Sequence, residues 1–246
     1  MKSKVSFDSD LCKFGMGVFE TIRIDENPIG LDLHMDRMYN SIKQLNININ
    51  YDKNYLLNQV LAYIENNNIK NKALRLTVFD EGFNISTRDI VYNNESYEKG
   101  FKLTISPIKR GDSIIYRHKT TNYFENIYTK NYASKLGFDD GIFLDINGRI
   151  LECSMSNIFF IKDTKVYTPS SQLPILKGTM RRRIIDICKE LNTEIIEKNI
   201  EISEIKDFDF VFISNSLMKV MKVVKIDEVA YEKENEIFNN ICKFIR

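Results

Sequence analysis

The chain has 246 residues, with 35 Lys and Arg against 34 Asp and Glu and a formal charge of +1. At about 150 residues per domain this length suggests one large or two small domains. A content of 43% hydrophobic and 28% charged residues excludes a disordered or fibrous chain, and the balanced charge argues against a dedicated binder of nucleic acid or anionic membrane.

Val18-Phe19-Glu20-Thr21-Ile22-Arg23-Ile24 alternates, with Val18, Glu20, Ile22 and Ile24 on one face and Phe19, Thr21 and Arg23 on the other, which predicts a strand. Leu31, Met35, Met38, Ile42 and Leu45 recur at spacings of four and three, the apolar stripe of a helix. Leu56, Leu57, Val60, Leu61 and Ile64 predict a second helix, and 73–79 and 101–106 read as strands. A Gly/Asn/Ser-rich stretch before Arg88 reads as a loop. The polar stretch 111–121 is the expected domain boundary, giving a small domain over 1–112, a linker over 113–118 and a larger domain over 119–246. Residues 122–137 read as a helix ended by Gly137, and Asn147-Gly148 as a hairpin turn joining 141–146 to 149–152. Residues 157–161 read as a strand, Met180, Ile184, Ile187 and Leu191 mark a helix, and 208–214 and 220–226 are the last strands. The coarse expectation is a mixed α/β (α+β) protein in two lobes.

Several chemistries are absent from the pattern. Cys12, Cys153, Cys188 and Cys242 form no CxxC pair, and His34 and His118 are the only histidines, so no metal site is expected. No apolar run nears the about 18 residues of a membrane span, and Met1 is not followed by a charged-then-apolar leader. We expect a cytoplasmic protein with reduced thiols. Gly15-Met16-Gly17 precedes a strand and lacks the third glycine of a dinucleotide fingerprint, so it reads as a tight turn. Leu176-Lys177-Gly178-Thr179-Met180-Arg181 enters a helix, whose free N–H groups and dipole suit an anion such as a phosphate. Taken alone, such a helix start binds water. A second cation is needed, and Arg37 could supply a bidentate contact, or remain a solvated surface arginine. Lys119 sits in a polar turn, where it is either a solvated charge or a nucleophile whose pKa its surroundings lower.

Together the motifs resemble those of the fold-type IV pyridoxal-phosphate enzymes, which include branched-chain aminotransferases, D-amino-acid aminotransferases and aminodeoxychorismate lyases. The matching stretches are Phe14–Arg23, His34-Met-Asp-Arg37, Lys119-Thr-Thr-Asn-Tyr123, Gly141–Asn147, Leu151–Phe159, Thr168-Pro169, Ile175–Arg181 and Ile213–Val220, in the family's order. The resemblance implies pyridoxal 5'-phosphate as cofactor, a small N-terminal α/β lobe, a larger C-terminal lobe and a homodimer acting on a small-molecule substrate. It implies that Lys119 joins the cofactor aldehyde and moves protons. Glu152 matches the carboxylate that faces the ring nitrogen, Arg37 the phosphate arginine, Thr179 and Met180 the phosphate-cradling helix start, Ser216 a hydroxyl near that phosphate, and Tyr123 the tyrosine at the ring hydroxyl.

Within the family the chain looks most like the lyases, which convert 4-amino-4-deoxychorismate to 4-aminobenzoate and pyruvate in folate biosynthesis. Asn215-Ser-Leu-Met-Lys-Val-Met-Lys-Val223 is similar to their Asn-Ala-Leu-Met-Pro-Val-Met-Pro-Val. Lys219 stands where aminotransferases carry a glutamate, and Thr21 where the lyases have a threonine suited to the reacting groups and branched-chain aminotransferases usually have Gly. The alternative is a branched-chain or D-amino-acid aminotransferase using the same residues. Arg88 and Arg117, with Arg110 beside them, are the arginines expected to meet substrate carboxylates.

Overall fold

The computed structural model describes residues 1–232 and 234–245, and every element below belongs to those residues. The chain folds as two compact units, the first of residues 1–91 and 118–123, the second of residues 92–117 and 124–246.

In the first unit a short helix α1 (Asp10–Phe14) leads into strand β1 (Gly17–Ile24), helices α2 (Leu31–Gln44) and α3 (Lys53–Asn66), and strands β2 (Lys72–Phe79) and β3 (Gly82–Asp89). The strands form an antiparallel sheet in the order β1-β2-β3. Alternation along β1 turns Val18, Ile22 and Ile24 toward Met35 and Met38 of α2, and Leu74, Leu76, Val78, Phe83 and Ile85 complete that core. The stripe read from the sequence is thus the buried face of α2. The stretch before Arg88, expected to be a loop, is strand β3. Gly82, Asn84 and Ser86 give it the composition of a loop, but Phe83 and Ile85 alternate with them into the core, the period of a strand.

In the second unit come α4 (Asn94–Lys99), β4 (Phe101–Arg110), a 3-10 turn at Ile114–Arg117, α5 (Phe124–Lys135), β5 (Asp140–Asp145), β6 (Ile150–Cys153), β7 (Asn157–Lys162) and β8 (Lys165–Pro169). They are followed by α6 (Thr179–Glu190), β9 (Ile195–Lys198), a 3-10 turn at Ile202–Asp207, β10 (Phe210–Asn215), β11 (Lys219–Ile226), β12 (Val229–Ala230) and α7 (Glu236–Ile245). One sheet runs β6-β5-β4-β11-β10-β7-β8-β9, with β12 on β11. Both faces of its centre are covered. Ile158, Phe160, Val211 and Ile213 enter one core, while Phe159, Ile161, Phe210 and Phe212 enter another beneath α6 and α7. That two-sided burial explains why β7 and β10 read as unbroken apolar runs.

The expected border near residue 112 falls inside the second unit. β4 pairs in parallel with both β5 and β11, which ties 101–110 to that sheet. Residues 118–123 return to the first unit through backbone pairing with β1.

Gly141 marks the tightest approach of α5 to β5. A Cβ there would stand 2.5 Å from Thr129 Cγ2. Gly141→Ala is expected to lower stability by about 1–3 kcal/mol in denaturant unfolding, as overpacked cores do. Adding Thr129→Ser, which removes that methyl group, is expected to recover part of the loss.

Candidate active site

The expected site residues divide between the two units: Lys119, Thr21, Arg37, Tyr123 and Arg88 in the first, Glu152, Thr179, Met180, Ser216 and Arg117 in the second.

In the first unit the outer edge of β1 is where Lys119 is held. Phe19 N–H donates to the Lys119 carbonyl at 3.0 Å, and Thr121 N–H donates to the Gly17 carbonyl at 2.9 Å. Val18 and Thr120 form the antiparallel bridge between these bonds. Alternation then places Thr120 inward, where it is buried, and Lys119 on the side of Phe19. Lys119 Nζ lies 4.5 Å from the centre of the Phe19 ring and 5.2 Å from that of Tyr123. The two rings meet edge to face at 5.2 Å. His118, one residue earlier, is anchored to Ser41 of α2 at 3.0 Å.

The face that carries Phe19 also carries Thr21. Register pairs Thr21 with Arg75, and Arg75 with Ser86. Arg23 and Arg88 lie on the next rung, each opposite Ala73. The Arg75 guanidinium stacks on the Phe19 ring at 3.7 Å and reaches Thr77 Oγ1 at 3.3 Å. Burial holds Arg75 below the usual arginine range, Tyr123 acts against this, and Arg88 adds to it. Among the described residues no carboxylate forms an ion pair with Arg75 or Arg88. Sequence reasoning reached Arg88 but missed Arg75. The register with Thr21 across a non-local strand pair is the signal that identifies it.

Arg37 is placed differently from a solvated arginine. Its Nε and Nη2 donate to the two oxygens of Glu20 at 2.8 and 2.6 Å. His34 Nδ1 lies 2.6 Å from Glu20 Oε2. Burial pushes the Glu20 carboxyl up, but Arg37 and the hydrogen bonds of His34 and Arg37 prevail and hold it at about 2. Glu20 therefore fixes the orientation of the Arg37 guanidinium.

In the second unit Thr179 Oγ1 and Ser216 Oγ lie 3.1 Å apart at the start of α6. No side chain caps that helix and no acid lies in its first turn, an arrangement that suits an anion. Gly178 is required there, since a Cβ would stand 2.3 Å from Asn157 Oδ1. The Met180 side chain is buried in the core with Ile184, which confines its part to the backbone N–H. Glu152, on β6, accepts from Arg110 Nη1 at 2.9 Å and from the Leu176 N–H at 3.1 Å.

Two expected substrate arginines are engaged elsewhere. Arg117 pairs with Asp112 at 2.7 Å and donates to the carbonyls of Ser113 and Gln172. Arg110 is 2% exposed and bound to Glu152, so it supports that carboxylate and is not a surface receptor for substrate.

A lysine amine held over aromatic rings and an uncapped helix start flanked by hydroxyls are each the equipment of a pyridoxal-phosphate enzyme. The chain belongs to the amino-transferase class IV family, whose model matches residues 17–226. It is therefore a fold-type IV pyridoxal-phosphate enzyme. It is 31% identical over 208 residues to the Rickettsia felis protein named "Probable branched-chain-amino-acid aminotransferase", covering 79% of this chain and 71% of that one. It is 29% identical over 238 residues to the aminodeoxychorismate lyase of Bacillus subtilis, covering 90% of this chain and 81% of that one. Its fold matches the T.th. branched-chain amino acid aminotransferase solved with pyridoxamine 5'-phosphate, at a TM-score of 0.91 and 23% identity, covering 99% of this chain and 88% of that one.

Glu20→Gln leaves Arg37 and His34 without their anion. It is expected to cost about 3–5 kcal/mol in chemical unfolding, as for other broken buried pairs. Because the folded carboxyl is depressed from 4.5 to about 2, the wild type holds this contribution in full above 4.5. It loses the contribution as pH falls through about 2, and the variant is expected to lack that acid-sensitive component.

Proposed function

We propose that the protein is a pyridoxal-phosphate-dependent aminodeoxychorismate lyase, releasing 4-aminobenzoate and pyruvate. The observation that carries this reading is the shared face of the first unit's sheet. There Lys119 stands opposite Phe19, beside Thr21, and Arg75 and Arg88 have no acidic partner among the described residues. Cations without acidic partners suit a substrate that brings carboxylates, and aminodeoxychorismate carries two. Thr21 and the Asn215–Val223 turn, with Lys219 in place of a glutamate, favour the lyase over the aminotransferases.

The uncapped start of α6, the Thr179 and Ser216 hydroxyls and the clearance at Gly178 fit a phosphate, and the family resemblance gives Arg37 the same ligand. Glu152 supplies the carboxylate for the ring nitrogen, and Tyr123 the hydroxyl for the ring oxygen. When bound, the cofactor supplies an electron-accepting ring that stabilises negative charge on the substrate carbon. The chain's own part is proton handling. The Lys119 amine takes the proton from the ring carbon that bears the substrate amine. It then delivers a proton to the enolpyruvyl methylene as the C–O bond to the ring breaks. Pyruvate leaves, the ring becomes aromatic, and no further reactant is needed. Arg75 and Arg88 hold substrate carboxylates so that the carbon stays within reach of the amine. Thr21 contacts the reacting groups from the same face.

The second reading is an amino-acid aminotransferase, which the same cations would serve by holding a dicarboxylic amino donor. A homodimer in the cytoplasm, working in folate biosynthesis, completes the proposal. Its support is the family resemblance and the wide spacing of the four cysteines, and sedimentation of the holoenzyme tests the dimer.

Pyruvate release from aminodeoxychorismate is expected for the wild type and is expected to vanish in Lys119→Ala. Stoichiometric conversion of the cofactor to its amine form by an amino acid, with no pyruvate from aminodeoxychorismate, would reject the lyase. Arg75→Met is expected to lower kcat/KM about 10–100-fold, the loss that goes with one charge-assisted hydrogen bond to a carboxylate.

A further inference from the structure

Arg110 is unusual among the charged residues of the second unit. Its side chain is only 2% exposed, although an arginine is ordinarily kept in water. Its guanidinium lies over two rings, 3.5 Å from the centre of Phe143 and 4.5 Å from that of Tyr116. The planar fork points three ways. Nη1 donates to Glu152 Oε1 at 2.9 Å, Nη2 to Asn126 Oδ1 at 3.2 Å, and Nε to Glu125 Oε2 at 3.4 Å. Asn126 then donates from Nδ2 to the Ser154 carbonyl at 2.7 Å, just past the end of β6. The same small network therefore grips both the Glu152 side chain and the strand that bears it.

We propose that Arg110 is the positioning residue that keeps Glu152 ionised and aimed, an inference that rests on the role given above to Glu152. A carboxylate 12% exposed on its side chain is poorly solvated, and by itself it would be driven toward its neutral form. A neutral carboxyl could not hold a proton on a pyridine nitrogen. A guanidinium at 2.9 Å opposes that drift. One cation alone would also compete with the ring for Glu152. Glu125 supplies the balance, since its carboxylate takes up part of the Arg110 charge and is itself bonded by the Tyr116 hydroxyl at 3.3 Å. The order Glu125, Arg110, Glu152 thus alternates in sign. The Leu176 N–H fixes the second Glu152 oxygen, so the carboxylate cannot rotate away. Contact with the Phe143 and Tyr116 rings lets the planar guanidinium keep one orientation, which a lysine cannot do.

The test follows the Glu152 carboxyl in protein labelled with 13C-glutamate, its signal assigned by comparison with Glu152→Gln. In Arg110→Gln the Glu152 midpoint is expected to rise by about 1–3 pH units. In Arg110→Lys, which keeps the charge and loses the fork, a smaller rise is expected. In both variants pyridoxal-phosphate affinity, read by absorbance, is expected to weaken as pH falls toward 6 and to recover at pH 8. A uniform loss at every pH would mark a merely structural role and overturn the proposal. An unchanged Glu152 midpoint in both variants would overturn it as well. A raised midpoint with no change in cofactor affinity would uphold the part played by Arg110 and count against the role given to Glu152.

Discussion

The catalytic reading depends on a few backbone hydrogen bonds along β1. Phe19 N–H to the Lys119 carbonyl and Thr121 N–H to the Gly17 carbonyl fix the root of a long, flexible side chain. Each such bond contributes about 0.5–1.5 kcal/mol net, which is modest. Its effect on register is larger. A slip of one residue would turn Lys119 into the core and Thr120 out onto the polar face. Gly17 guards the pairing, because a Cβ there would stand 3.1 Å from both Leu11 and Thr121. The Thr121 hydroxyl adds a bond to the Gly15 carbonyl at 2.5 Å.

Around that pairing the charges fall into two kinds. Glu20 with Arg37, and Glu152 with Arg110, are buried pairs in which geometry is fixed and each charge is matched. Arg75 and Arg88 stand on the sheet face with no acid of their own among the described residues. Matched pairs give rigidity and orientation. Unmatched cations gathered on one face leave an electrostatic demand that an anionic ligand can meet. The uncapped start of α6 makes the same kind of demand through its amides. In the proposed reading the pairs hold Arg37 and Glu152 in one orientation for the cofactor, and the unmatched arginines are left for the substrate.

Much of the frame was legible because its signals are local. The two-sided alternation of β1, the apolar stripe of α2 and the Asn147-Gly148 turn each express a period or a backbone need within a few residues. What escaped was set by distant partners. β3 has a local period in Phe83 and Ile85, but its Gly82, Asn84 and Ser86 have the composition of a loop, and pairing with β2 decides between the two. The domain border was misplaced because β4 joins strands whose sequence lies far beyond it. The motif resemblance singles out Lys119 and Glu152, but nothing local told Arg110 from a surface arginine. Its partners Asn126 and Glu152 lie 16 and 42 residues away, and its burial is a tertiary fact. Arg75 likewise gained meaning only from its rung opposite Thr21.

The most direct measurement is borohydride reduction of the protein loaded with pyridoxal phosphate, followed by digestion and mass spectrometry. The account predicts that the reduced cofactor is carried by the peptide containing Lys119, and that Lys119→Ala carries none. Labelling of a different lysine, or equal labelling of the Lys119→Ala protein, would contradict it.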